Sequence, residues 1–546
     1  MLDDGSKQEF DFAKDVVEWM GSQDPPEEPE EVNEIFATVL TKSQVKARPD
    51  EAKEAMEQEM KKFEDFNAFK VVPDEGQHTI KTRWVFTDQE NDGKGVKLKS
   101  RLCMRGDLED NIENIRADSP TAHKDSLKLT LSIAANEGFE IFSADIKSAF
   151  LQGRSLERKV FVLPPSEAKM DGKLWLLQKG AYGLIDGSRL FYLELKEKLE
   201  KLGLRQISGD SAVFTYHKAG KLMGLVCIHV DDLLLMGNGQ FKQLVSQNLF
   251  KSFRISKVEF DKFKYLGCAS ERKKNGDITL QQNEYIKNIK EVECPSLLNS
   301  CPVKDAERKE IRRVVGELLW VSLMTRPDLA FEVNQLSTSI LDAKIRDLKS
   351  AKRLVEKAKL EPAILRFTKL GPIENLRIKL YCDASFNNQD SKLRSTEGRV
   401  LLLENEKSDK VNMFSWKTKR ISRICRSVKG AETRALENGL DEAVHYARMI
   451  KEIYDGAANL KNPKQIKVEA VTDNKGLWEN LNNTRQCEEK LLRNSIALVK
   501  EMVEKSEVEK VHWVETKEML ADTLTKTAGN GSWVKDVMER NRIYDN

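Results

Sequence analysis

The segment LVCIHVDDLLLMG, residues 225–237, is two apolar runs joined by adjacent aspartates, Asp231 and Asp232. Core packing gives no reason for two carboxylates there, because burying unpaired charge is costly. The pattern predicts a tight strand–turn–strand that displays both acids. Upstream, SADIKSAFLQG (residues 143–153) follows a predicted strand over Phe139–Ala144 that delivers Asp145. A second set lies further on: Asp383 in LRIKLYCDAS, Glu432 in KGAETRALENG, Asp473 in IKVEAVTDN and Asp522 in ETKEMLADTLTK. Carboxylates gathered at strand ends repel one another unless cations sit between them. Two divalent ions roughly 4 Å apart are the usual agents of phosphoryl transfer. The pattern points to two separate metal centres acting on nucleic acid.

The 546 residues are enough for several domains, and 40% hydrophobic with 33% charged residues fits a soluble globular chain. No stretch approaches the roughly 20 apolar residues needed to cross a bilayer, so no membrane partner is expected. The first residues lack the basic start and apolar run of a secretory signal. Eight scattered cysteines, the closest pair being Cys294 and Cys301, form no zinc pattern. A reduced, intracellular setting is expected, either cytoplasmic in particles or nuclear. The net charge of +2 averages unlike regions: residues 1–35 carry 12 acidic and 2 basic side chains. Basic clusters at 81–106 (seven against three acids) and 410–434 (eight against Glu432 alone) flank the proposed catalytic acids and suit phosphate backbones.

Along the chain, residues 1–49 read as an acidic, flexible tail. Ala55, Met56, Met60 and Phe63 predict a helix over 50–66. Asn91-Asp92-Gly93 signals a hairpin between Lys81–Thr87 and Val96–Met104. Residues 120–140 and most of 310–360 read as helical. From Leu376 the order is a strand, a basic loop, a helix from about Ala431, a strand at Ile466–Val471, then a strand and short helix near Asp522.

The motifs IKTRWVF, LKSRLCMRG, ADIKSAFLQG, KGAYGL, HVDDLLLMG, TRPDLAFEVNQLS, YCDAS, STEG, AETRAL, TDNKG and LADTLTK occur in this order. The series resembles the reverse transcriptase and RNase H region of copia-type LTR retrotransposons, the C-terminal part of a Pol polyprotein. The resemblance implies an α+β right-hand polymerase (fingers, palm, thumb) followed by an α/β RNase H-like domain. Residues 50–270 would form fingers and palm, 271–370 a mostly helical thumb and connection, 371–530 the RNase H-like domain and 531–546 a C-terminal tail. It implies an RNA-directed DNA polymerase with a linked RNase H that degrades the RNA strand of RNA–DNA hybrids. Asp145, Asp231 and Asp232 would hold two Mg2+ ions, and Asp383, Glu432, Asp473 and Asp522 two more, with Mn2+ able to substitute. Lys99 and Arg101 resemble a triphosphate clamp, and Phe150 a steric gate against a ribose 2′-hydroxyl. Lys417, Lys419, Arg420, Arg423 and Arg426 would lie near the hybrid backbone. The implied partners are an RNA template, a DNA primer, the RNA–DNA hybrid, deoxynucleoside triphosphates, and an integrase or other element-encoded proteins.

The pattern departs at three places. His229 stands where the family usually has tyrosine. Gly187 and Ser188 stand where a proline is usual, and Val428, Lys429 and Gly430 replace a serine-rich run. None removes an expected metal ligand. The alternative reading is a catalytically inactive or domesticated nucleic-acid-binding relic.

Overall fold

A computed structural model describes residues 39–90, 96–386, 394–456, 466–483, 487–527 and 531–543. The Asn91-Asp92-Gly93 turn and nearly all of the acidic tail lie outside these residues. The chain divides into two compact units, Met1–Ile112 with Glu157–Leu184, and Glu113–Leu156 with Ile185–Asn546.

In the first unit the predicted helix runs from Pro49 to Asp65 and buries Ala52, Ala55, Glu59 and Phe63 along one face. Glu59 is tolerated there because Lys62, one turn on, pairs with it at 2.5 Å. Strands Thr82–Glu90 and Val96–Met104 pair antiparallel, with Lys99 opposite Thr87 and Arg101 opposite Val85. Leu98, Ser100 and Leu102 are buried, so the period-2 alternation puts Lys99 and Arg101 together on the other face. The Arg101 guanidinium lies 5.3 Å from the centre of the Tyr182 ring.

The second unit opens with α1 (Lys124–Glu137), capped by Gly138 at φ 69°, and β1 (Glu140–Ile146). Next come α2 (Gly187–Lys201), β2 (Leu204–Gln206), β3 (Val213–Lys218), β4 (Lys221–His229), β5 (Asp232–Gly237) and β6 (Ile255–Phe260). These strands form one sheet in the order β6-β1-β5-β4-β3-β2. Helices α3 (Asp305–Met324), α4 (Ala330–Ser339) and α5 (Ile345–Leu360) follow, as the periodicity predicted. The Thr-Arg-Pro-Asp motif between α3 and α4 is a structural device. Arg326 is wholly buried, donates to both Asp328 oxygens at 2.9 and 2.8 Å, and reaches the Ala358 carbonyl at 3.3 Å.

The last part holds β7 (Leu376–Ser385), β8 (Thr396–Asn405), β9 (Val411–Arg420), α6 (Val428–Asp455), β10 (Lys467–Thr472) and β11 (Lys510–Trp513). The sheet order is β9-β8-β7-β10-β11. The first three strands pair antiparallel, while β10 joins β7, and β11 joins β10, in parallel. The expected basic loop between the first strand and the helix is replaced by two full strands. All ten residues of β8 are buried; of the basic run, Lys417, Lys419 and Arg420 lie at the far end of β9, and Arg423 and Arg426 follow it before α6. Their charge masks an ordinary sheet.

Helix α1 packs between the six-stranded and five-stranded sheets of this unit, and every residue from Asp125 to Asn136 is buried. Lys128 Nζ sits 3.5 Å from the centre of the Trp416 ring on β9 and donates to the Leu323 carbonyl at 3.0 Å. Asn412 donates to the Ser132 hydroxyl at 2.9 Å. A single apolar cluster runs from Leu127 and Leu131 of α1 through Leu380 and Leu402 to Ile450 of α6.

Candidate active sites and relatives

The register of the first sheet makes Asp232 the direct cross-strand partner of Asp145, and of His229 on the other side. Directly opposed residues in antiparallel strands have Cβ atoms about 5 Å apart, so these carboxyl groups share one end of the sheet. Between β4 and β5 the turn is only Val230 and Asp231. Val230 has φ 55°, a region a β-branched residue rarely enters. The Asp231 carbonyl accepts from the Ile146 N–H at 3.1 Å, tying the turn to the end of β1. Ser256 on β6 hydrogen-bonds the Asp145 carboxylate and its carbonyl. Burial, then Asp231 and Asp145, push the Asp232 carboxyl up to about 7. An anionic cluster that suppresses its own ionisation fits cation binding, and its hard oxygen donors suit magnesium.

Phe150 lies five residues past Asp145 in the short turn Ala149–Gln152, half-buried against this sheet's core. Lys99 and Arg101 belong to the other compact unit and are half-buried on their hairpin.

In the second sheet, Asp383 is 1% exposed near the end of β7, paired with Gly398 of β8. Asp473 immediately follows β10, and Asp522 sits in the short turn Leu520–Leu524. Asp383, Asp473 and Asp522 each offer an oxygen, all within 4.8 Å of one another. Glu432 lies in the second turn of α6 rather than the first, because the helix already starts at Val428 after its Ser427 cap. Its Oε2 is buried without a hydrogen-bond partner. Burial first, then Asp383 and Asp473, raise its carboxyl to about 9. Burial likewise lifts Asp383 to about 6, against the pull of Lys526 and Thr525. An orphaned buried oxygen beside three converging carboxylates fits a divalent cation.

Two glycines allow this convergence. A Cβ on Gly398 would meet Thr525 at 2.6 Å and Leu524 at 2.8 Å, so its absence lets the Asp522 turn lie on β8. A Cβ on Gly439 would meet the Cys382 sulfur at 2.5 Å, so its absence seats α6, and Glu432 with it, against β7.

Several contributors escaped the sequence reading. Thr516 donates to Asp473 at 2.8 Å, Thr525 to Asp383, and Lys526 to Asp522. For Lys526 the available signal was its position four residues after Asp522 on one turn. Among the expected hybrid contacts, Lys419, Arg423 and Arg426 are exposed. Lys417 instead points inward, and burial lowers its ammonium below the ordinary value.

Residues 66–302 match the family described as reverse transcriptase (RNA-dependent DNA polymerase). The retrovirus-related Pol polyprotein from transposon RE1 of Arabidopsis thaliana is 26% identical over 480 residues, covering 84% of this chain and 31% of that protein. The chain spans about a third of the length of the curated relatives it matches. Among solved structures, the foamy viral protease–reverse transcriptase dRH bound to double-stranded DNA matches 85% of this chain and 70% of its own, with TM-score 0.50 and 12% identity. An N-terminal RNase H domain from Mycobacterium tuberculosis is 18% identical and covers 28% of this chain and 91% of its own, with TM-score 0.20. Residues 66–302 thus match a reverse transcriptase domain, and most of the chain is similar to the Pol polyproteins of copia-type retrotransposons, in a mixed α/β fold that matches a solved reverse transcriptase.

Proposed function

We propose that the chain is an RNA-directed DNA polymerase with a linked RNase H that degrades the RNA strand of RNA–DNA hybrids. The observation that carries the polymerase reading is the direct pairing of Asp145 with Asp232, with Asp231 in the turn beside them. In this reading Asp145 and Asp231 are the principal metal ligands and Asp232 an auxiliary one. Bound magnesium, or manganese in its place, would lower the pKa of the primer 3′-hydroxyl and neutralise charge on the leaving pyrophosphate. The carboxylates orient that charge, Ser256 fixes Asp145, and the short Val230–Asp231 turn holds the acids at the sheet's edge. Lys99 and Arg101 present donors for triphosphate oxygens, the arginine as a planar fork. Phe150 excludes a ribose 2′-hydroxyl.

The nuclease reading rests on the convergence of Asp383, Asp473 and Asp522 with the orphaned Glu432 oxygen. These groups, with a divalent metal, would orient a water against the RNA strand, while the enzyme reads the hybrid by its A-form shape and 2′-hydroxyls. Lys419, Arg423 and Arg426 supply backbone attraction. In domain terms we assign 50–270 to fingers and palm, 271–370 to thumb and connection, and 371–530 to the nuclease. The substrates are an RNA template, a DNA primer and deoxynucleoside triphosphates. Other products of the element, an integrase among them, are the protein partners, in an intracellular setting. Among the described residues no helix is long and apolar enough to cross a membrane.

The test is magnesium-dependent primer extension on an RNA template. Asp231→Asn should reduce extension on the order of a thousand-fold, in line with loss of a metal ligand. It should spare hybrid cleavage, and Asp383→Asn should do the reverse. Equal extension by wild type and Asp231→Asn would defeat the polymerase assignment. Salt-sensitive hybrid binding without turnover in any divalent metal would mark the chain as a relic.

A further inference from the structure

Lys526 is on the same short turn as Asp522, its N–H bonded to the Asp522 carbonyl at 3.0 Å. Its side chain returns over that turn, so that Nζ contacts the Asp522 carboxylate and lies 3.7 Å from Asp383. The ammonium is therefore within ion-pair reach of two of the three converging acids. Asp383 is almost wholly buried, while the lysine that faces it is 39% exposed. On its other side Lys526 lines a cavity of about 420 Å³ whose wall also carries Glu332, Glu361, Asp536 and Glu539. Glu332 pairs with Lys357, Glu361 with Lys535 and Asp536 with Arg540, and Glu539 accepts from the Ile364 N–H, so the acids of this wall outnumber the lysines that line it but each has a partner.

We propose that Lys526 is a tethered cation that clasps Asp383 and Asp522 together, and that a divalent ion enters this site by displacing it toward the acid-lined cavity. The inference rests on the nuclease reading of this site. Lys526 is a positioning residue in this scheme. It keeps the acids converged before the ion arrives, and it competes with the ion for the same oxygens. Its removal should tighten ion binding while making the metal-free protein less stable.

The experiment uses the full chain carrying Asp231→Asn, which takes the palm out of the ion titration. Manganese is titrated calorimetrically into this protein with and without Lys526→Gln or Lys526→Arg, and each is melted in chelator and in manganese. Lys526→Gln should bind manganese roughly ten-fold more tightly, as expected when a screened unit charge a few ångströms away is removed. It should also melt lower in chelator and gain more from manganese, whereas Lys526→Arg should behave as the parent. Equal or weaker binding by Lys526→Gln overturns the proposal. If that variant folds only with manganese present, the clasp is supported. If it folds under neither condition, the lysine is structural and the proposal fails. Asp383→Asn separates the two levels. An unchanged manganese isotherm in that variant defeats the nuclease reading itself, while a lost isotherm with no effect of Lys526→Gln defeats only the role of the lysine.

Discussion

Asp145 and Asp232 meet because hydrogen-bonded neighbouring strands put them side by side. The quartet of Asp383, Glu432, Asp473 and Asp522 meets because a strand, a helix, a strand end and a short turn are packed onto one another. The first arrangement is fixed by backbone register, where a slip of one residue would turn every side chain of the strand to the other face. The second is fixed by side-chain volume at Gly398 and Gly439. The strand-paired cluster should therefore tolerate crowding around it, and the packed quartet should not.

The largest expected break is Gly398→Val. The added side chain must push the Asp522 turn off β8, and a displacement of about 1 Å at a reacting centre costs on the order of a hundred-fold in rate. Hybrid cleavage should fall by about that factor, while primer extension on the same preparation stays within about two-fold. A parallel loss of both would mean that the clusters are not separately built.

A smaller effect is expected from pH. In metal-free protein, Asp232 near 7, Asp383 near 6 and Glu432 near 9 all stand above their ordinary values. The folded state then binds more protons than the unfolded one, so these groups contribute most below the ordinary carboxyl range of about 4. That contribution is lost as pH rises through the folded values. Calorimetric melting in chelator should show the transition falling between about pH 5 and about pH 8. Glu432→Gln should flatten this slope more than Asp232→Asn does. A transition that rises across the interval contradicts the burial argument for both clusters.

Ser256→Ala sharpens the comparison from the other side. Losing one hydrogen bond to Asp145 costs about 1 kcal/mol, so extension should drop roughly five-fold with cleavage unchanged. Smallest is Val230→Gly. It removes a positive-φ penalty of about 1–2 kcal/mol but loosens the unfolded chain, for a net gain near 1 kcal/mol or less in thermal stability. A loss of stability would place the cost of the turn elsewhere.

What the sequence disclosed follows the same division. Local signals marked the paired aspartates, because two charges between apolar strands have few explanations, and marked a helix over 120–140, which forms from Lys124 to Glu137. The order of acids in the second domain was legible, but the means of their convergence was not. Gly398 and Gly439 look like any other glycines until the atoms facing them are known. The basic run around 410–434 read as a loop because its charges dominate, although Val411–Trp416 of β9 are buried. Lys417 was grouped with Lys419, Arg423 and Arg426, which are exposed, but the sheet turned it inward. Nothing local could announce that Glu157–Leu184 returns to the first compact unit.

Helix α1 carries a consequence for how the chain tolerates truncation. Its buried faces are shared between the sheet that bears Asp232 and the sheet that bears Asp383, with Lys128 against Trp416 at the seam. Cutting the gene after residue 370 would strip one wall from that helix and expose Leu127, Leu131 and their neighbours to water. Loss of either sheet therefore destabilises the other through this one helix, so the two halves should unfold together.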